Sequence, residues 1–413
     1  MGANFNLKTL TVALAALSAA SLASAAGLDR SGQDITAFLQ DGVYAEAVYT
    51  YLDADVSGYD NAYVGADKNA YQQGNKIDDI AESYDFFRYG VKADINDTFS
   101  VGVLYDEPFG AAANYSGDNK FVDQNPASPR NGEGTNVEVR TENITGLLGV
   151  KFGENKEFQV YGGPVAQRVQ ADVKLRGTAY QAANGYTTHI TADQDYGWLA
   201  GVAYSKPEIA LQAALTYRSE IDHTLGLSEV FPALAGAIPN AATGVNGEID
   251  ITTPKSVNFD FQTGINPTTL ATAKVRWVPW GDFSIVPPLY NAVSKNNPAY
   301  GPDGLALVEY GDDQWQVELG LAKRVAPALA VSGTVGWDSG AGDPTTSLGP
   351  IDGYYSVGLG AKYNVTPEWA VSAGGKYLWF GDAKGQLPTQ KLVGDFQDND
   401  GYILGMKLSY QGK

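Results

Sequence analysis

The chain has 413 residues, with 28 Lys and Arg against 47 Asp and Glu, a formal charge of −19. That acidity argues against a nucleic-acid partner, which needs basic surface. The absence of Cys excludes disulfides and thiolate chemistry, and two His exclude most His-rich metal centres, so no cofactor, metal or catalytic group is expected.

In chain order, Lys8, the apolar run Leu10–Leu22 and the small residues Ala23-Ser24-Ala25 read as a cleaved export signal, residues 1–25. Beyond it no apolar run approaches the roughly 20 residues of a membrane helix. Residues 26–42 do not alternate; Ile35, Phe38 and Leu39 give them an apolar side that free tails seldom have, and a short plug is expected there. From residue 43 to 413 apolar and polar residues alternate in long runs. Examples are Tyr355, Val357, Leu359, Ala361 and Tyr363, then Trp369, Val371, Ala373, Tyr377 and Trp379, then Tyr402, Leu404, Met406, Leu408 and Tyr410. Period 2 is strand. A soluble sandwich would alternate too, but here aromatics end the apolar rows and connections alternate between short and long. Short ones fall near 96–97, 153–156, 205–207, 266–268, 326–327 and 366–367; long ones near 53–83, 109–134, 177–192, 224–246, 286–304, 338–352 and 382–394. The expected fold class is therefore all-β, a transmembrane antiparallel β-barrel of about fourteen strands in an outer membrane, with short periplasmic turns and long outer loops.

Two irregularities stand out. Pro108, with Phe109 and Gly110, follows the alternating run 99–105, and proline cannot donate to a strand ladder. In the fifth strand the apolar row changes parity at Gly162-Gly163-Pro164, which predicts a β-bulge, with Arg168 beyond it on a lumen-facing polar row. Arg218 and Arg276 also fall on polar rows expected to face inward. The loop 224–246 carries Val230, Phe231, Leu234 and Ile238, an apolar cluster suited to capture at the surface, whereas 109–134 is polar and offers less. His189 and His223 fall near outer rims and read as solvated.

Three stretches, Phe99–Tyr115 (FSVGVLYDEPFGAAANY), Leu215–Ile221 (LTYRSEI) and Thr253–Val278 (TPKSVNFDFQTGINPTTLATAKVRWV), resemble the FadL-type family of outer-membrane transporters for long-chain fatty acids and other hydrophobic compounds, which includes aromatic-hydrocarbon transporters of the TodX type. The resemblance implies a fourteen-strand barrel closed by an N-terminal hatch. It also implies a groove between outer loops and lateral release through the wall at the third strand, near Pro108, Phe109 and Gly110. The family holds its ligand's carboxylate with inward basic residues, for which Arg168, Arg218 and Arg276 are the candidates here, because a buried anion needs a cation. The expected partners are a long-chain fatty acid or other hydrophobic small molecule, outer-membrane lipid and lipopolysaccharide, with the protein a monomer. The expected function is passive uptake, without catalysis. The rivals are a general or solute-selective porin, with an open polar lumen and no plug, and an adhesive or structural barrel.

Overall fold

The computed structural model describes residues 28–412; the expected export signal lies outside the described residues. One sheet of seventeen segments closes on itself, and because three of its strands are interrupted it comprises fourteen antiparallel strands. They are β1 (Val43–Asp55), β2 (Tyr84–Asp94), β3 (Phe99–Asp106, then Gly110–Asn114), β4 (Asn136–Phe152), β5 (Phe158–Lys174), β6 (Thr187–Lys206) and β7 (Leu211–Arg218, then Ile221–Val230). The remainder are β8 (Val245–Thr253, then Ser256–Asn266), β9 (Thr269–Val278), β10 (Gln314–Ala326), β11 (Leu329–Asp338), β12 (Tyr354–Asn364), β13 (Trp369–Phe380) and β14 (Asp400–Gln411). Pairing of β1 with β14, from Tyr44↔Gln411 to Asp55↔Asp400, leaves the sheet no free edge. The short and long connections alternate as the sequence predicts.

The alternation now has a physical meaning. Along β12 and β14 the outward row is apolar and open, with Leu359 70% and Met406 58% exposed. Such a belt is untenable in water and suited to hydrocarbon. The inward row of the lower barrel is polar and sealed, including Arg88, Lys92, Ser100, Ser372 and Lys407.

The fifth strand corrects one expectation. The β4–β5 ladder runs in constant register past Gly162-Gly163-Pro164, so there is no bulge there. Val165, Gln167, Val169 and Val173 are buried, on the same inward parity as Gln159 and Tyr161. Only the environment changes. Below Pro164 the outside is lipid, and the outward row is Phe158 and Val160; above it the outside is water, and the outward row is Arg168, Gln170 and Lys174. Arg168 therefore faces away from the lumen, exposed, opposite Glu142 on β4.

The long outer connections are folded. Gly58–Asn61, Gln73–Ile77, Thr345–Thr346, Ala383–Gln386 and Leu392–Phe396 make a five-stranded sheet, and Pro288–Lys295 is helix α1. Tyr115 stacks on Phe121 at 4.4 Å and meets Phe396 edge-on, so the connection read as polar in fact supplies two anchors of the outer core.

Placing a charge in the lipid belt separates the two halves of this reading. Leu148→Arg on the outward row of β4 is expected to cost roughly 2–4 kcal/mol. Arg168→Ala should change stability by less than about 0.5 kcal/mol. Denaturant unfolding in lipid bilayers measures both.

Candidate functional site

The β2–β3 ladder holds from Asp94↔Ser100 to Tyr89↔Tyr105 and then stops, resuming only at the bridge Ala81↔Ala113. Proline at 108 has no N–H for it. The chain bends inward, burying Pro108, Phe109 and Gly110. On the β4 side the Thr141 hydroxyl replaces a rung, accepting from the Phe109 N–H (2.8 Å) and donating to the Phe109 carbonyl (2.7 Å). On the β2 side a Glu107 carboxylate oxygen accepts the Phe87 N–H at 3.3 Å.

The N-terminal segment fills the break. The Arg30 N–H donates to the Pro108 carbonyl and the Gly110 N–H to the Leu28 carbonyl, both at 2.7 Å, and Ser31 Oγ donates to Asp106 at 2.7 Å. The Arg30 guanidinium lies 4.0 Å over the Tyr84 ring. A Cβ on Gly110 would come 2.4 Å from Arg30 Cζ, so a larger residue there would have to push the Arg30 guanidinium aside.

Charge and apolar contact hold the same segment from the far wall. Asp29 receives a bidentate pair from Arg276 (2.7 and 2.8 Å), whose third nitrogen donates to Asn258 and Gln33. Asp34 sits between Lys274 (2.9 Å) and Arg88 (3.4 Å), and Arg88 continues to Glu46 (3.1 Å). Burial pushes the Asp34 carboxyl up, but Lys274 and Arg88 outweigh it and hold it well below the usual carboxylate range. Ile35, Phe38 and Leu39 are buried against Leu104, Leu147 and Tyr161. A Cβ on Gly102 or Gly149 would lie 2.7 or 3.0 Å from the Phe38 ring, so the wall is thinned to admit it.

The three expected carboxylate ligands do not converge. Arg168 is outside. Arg276 is inside but fully engaged with Asp29, Gln33 and Asn258. Arg218 is buried, with one guanidinium nitrogen unbonded, and shares its surroundings with Asp106 and Asp260. Above the break lies a small pocket lined by Leu28, Ala111, Ala113, Val139, Val308 and Tyr310 among others, with no charged side chain and only about 20 Å³ of free space. Further out, a groove of about 450 Å³ lies between Tyr180, Phe231, Tyr290 and Tyr300, with Lys68 and Lys391 in its lining. Of the four residues expected to form a capture surface only Phe231 lines this groove, and it is itself buried against Tyr186 and Tyr290. Val230, Leu234 and Ile238 are half-buried, the last two packed on the outer core rather than free. Asp29, Arg30 and Asp34 escaped the sequence reading because a segment without period gives no cue to which wall it meets.

A family model described as outer membrane protein transport protein (OMPP1/FadL/TodX) matches residues 6–411. Among solved structures, a Pseudomonas aeruginosa FadL homologue aligns over 90% of each chain at 15% identity, TM-score 0.68. The Pseudomonas putida toluene transporter TodX aligns over 91% of each at 12% identity, TM-score 0.56. The CymD monoaromatic hydrocarbon channel aligns over 99% of each at 10% identity, TM-score 0.55. At these identities the likeness shows the fold. No curated protein sequence matches.

Arg276→Ala leaves the buried Asp29 carboxylate without its partner, which typically costs about 3–5 kcal/mol. Hydrogen exchange at Arg30 and Gly110 should rise, and Asp29→Asn added to Arg276→Gln should restore part of the protection. The contacts of Asp34 should withstand mild acid: a carboxyl held below its ordinary value of 3.8 contributes stability that is complete above that value and is lost only as pH falls through the lower folded value. Exchange of the Thr36 N–H, which donates to Asp34 Oδ1 at 2.7 Å, should therefore match between about pH 5 and about pH 7 once intrinsic rates are corrected.

Proposed function

The chain belongs to the OMPP1/FadL/TodX family of outer-membrane transport proteins, and from that premise we propose that its cargo is a small, neutral hydrophobic molecule, released sideways at the β3 break. Transport of hydrophobic compounds across the outer membrane, without catalysis, is the family activity. The observation carrying the finer reading is the position of Leu28. Its side chain lines the uncharged pocket, and its carbonyl accepts the Gly110 N–H at the break.

One residue thus belongs to both the binding pocket and the seal. An aromatic ring needs a cavity of roughly 150 Å³ to sit in, far more than the pocket leaves free. Entry of a ring requires Leu28 to move, and that movement withdraws the partner of the Gly110 amide. Residues 28–42 act as the plug, held by Asp29 and Asp34 until ligand displaces their leading end. The outer groove beside Phe231 is the first holding place. A neutral cargo fits because the pocket has no cation to offset the desolvation of a carboxylate. Long-chain fatty acid is the second reading, favoured by Lys68 and Lys391 in the outer groove, where a carboxylate head would stay near water. The barrel closes without a partner, which supports a monomer.

Uptake of labelled toluene and labelled oleate, by cells lacking their own transporters, tests both. The proposed reading expects toluene uptake that falls several-fold when Ala113→Phe fills the pocket and rises with Leu28→Ala. Oleate uptake that is abolished by Lys68→Ala with Lys391→Ala, with none for toluene, would replace it with the fatty-acid reading.

A further inference from the structure

The wall is interrupted a second time, between β6 and β7. These strands pair from Leu211↔Lys206 to Arg218↔Leu199 and again from Leu227↔Ile190 to Val230↔Thr187. Between those stretches Thr191–Gly197 and Glu220–Gly226 form no pairs with each other, although most of them stay paired to β5 and β8 on their other sides. The last link below is the Ser219 N–H to the Trp198 carbonyl at 2.9 Å, with the Trp198 N–H returning to Ser219 Oγ at 3.0 Å.

The cause is two irregularities that are out of step. On β7 the inward row is even-numbered up to Arg218 and odd-numbered from Ile221, the switch falling at Ser219-Glu220. On β6 the switch lies further out, where the register against β5 slips between Val169↔Asp193 and Ala171↔Ile190. Over the interval between the two, inward residues of one strand stand beside outward residues of the other. Their N–H and C=O groups are not presented to each other, and the ladder fails.

β8 is interrupted opposite the β7 break, at Pro254-Lys255, so the outer half of the hairpin leans across the lumen. His223 shows this. It was expected to be solvated, yet it is 1% exposed, with Nε2 3.0 Å from Gln167 Oε1 on β5. Thr253 of β8 donates to the same oxygen. Contact with β5 requires β7 to pass inside β6. The strand left behind shows the consequence. Asp193, on the inward parity of β6, is open to solvent and Asp195 is half-buried, its carboxylate 3.5 Å from His223 Nδ1, while Val165, Gln167 and Val169 beside them on β5 are sealed.

The lower end of this seam is apolar and lies at the edge of the lipid belt. Tyr196, 70% exposed, and Trp198 point outward below the polar Gln194. At the threshold Ile221 covers Gly197, where a Cβ would come 2.6 Å from Ile221 Cγ1. Behind Ile221 a continuous apolar cluster runs through Leu199, Val165 and Tyr161 to Phe38 of the N-terminal segment. This cluster is distinct from the one containing Leu28 and Phe109.

We propose that the β6–β7 seam is a second side port through the barrel wall. A small neutral hydrophobic molecule dissolved at the outer interface of the membrane passes Tyr196 and Trp198, displaces Ile221 from Gly197 and reaches the apolar face at Phe38. It uses neither the outer groove nor the β3 break. The nature of the cargo rests on the reading in the preceding subsection; the port itself does not.

The natural chain has no cysteine, so Leu199→Cys places a single thiol just behind the threshold. Its labelling in outer-membrane vesicles is followed with a lipid-partitioning maleimide and with a charged, water-soluble one. Labelling through a transient opening tracks the open population, so Ile221→Ala should speed the lipid-partitioning reagent by roughly tenfold or more. The charged reagent should stay slow, and Ile221→Met, which keeps the volume, should leave both rates near those of the parent. An unchanged rate in a heat-modifiable, folded Ile221→Ala barrel would overturn the port. So would an equal acceleration of the charged reagent, which would mean entry through the mouth. Toluene uptake by the natural chain is read separately: its absence would refute the proposed cargo, and the labelling result would still decide the port.

Discussion

A peptide group in hydrocarbon must find its hydrogen-bond partner within the protein, because no water is there to supply one. Closure of β1 on β14 meets that demand for most of this chain. Where the ladder fails, the demand does not lapse, and the substitutes found there are the informative residues. At the β3 break they are the Thr141 hydroxyl, the Glu107 carboxylate, and the backbone of Leu28 and Arg30. The N-terminal segment is thus joined to the wall by the same kind of bond that builds the wall. Its contacts add to the strand pairings on either side, which keep their own partners.

The lower lumen follows from the same constraint. A barrel of this size has an interior that the wall's own side chains do not fill. Residues 28–42 enter as an object of mixed character, with Ile35, Phe38 and Leu39 toward Tyr161 and Asp29 and Asp34 toward Arg276, Lys274 and Arg88. The ionic side gives direction as well as attachment. A buried carboxylate tolerates little displacement from its cation, so the segment docks in one orientation, and that orientation brings Leu28 to Gly110.

Much of the architecture was legible in the sequence. Period 2, aromatic row ends and alternating connection lengths carried the strand count, because each records a local relation between a residue and the membrane. The inward parity of Arg218 and Arg276 was legible for the same reason. The parity rule misled at Arg168 because it assumes one environment along the whole strand; β5 leaves the lipid partway, and the apolar row then moves from outside to inside. Position near an outer rim misled at His223 because a hairpin that bends as a unit at Ser219-Glu220 and Pro254-Lys255 carries a rim residue into the interior. Tyr115 and Phe121 were overlooked because two aromatics in a polar connection look incidental until Phe396, far along the chain, is placed beside them.

By itself, then, the sequence determined the fold class, the membrane and the strand count, all of which depend on interactions between near neighbours or with the solvent; at Pro108 it showed a residue unable to donate to a ladder, and only the family resemblance read that as a gap in the wall. Tertiary structure alone decided which charges meet, that Leu28 joins the pocket to the break, and that β6 and β7 lose their ladder between Thr191 and Gly226. Those outcomes depend on where residues hundreds of positions apart come to lie around a closed ring. No short-range pattern encodes that placement.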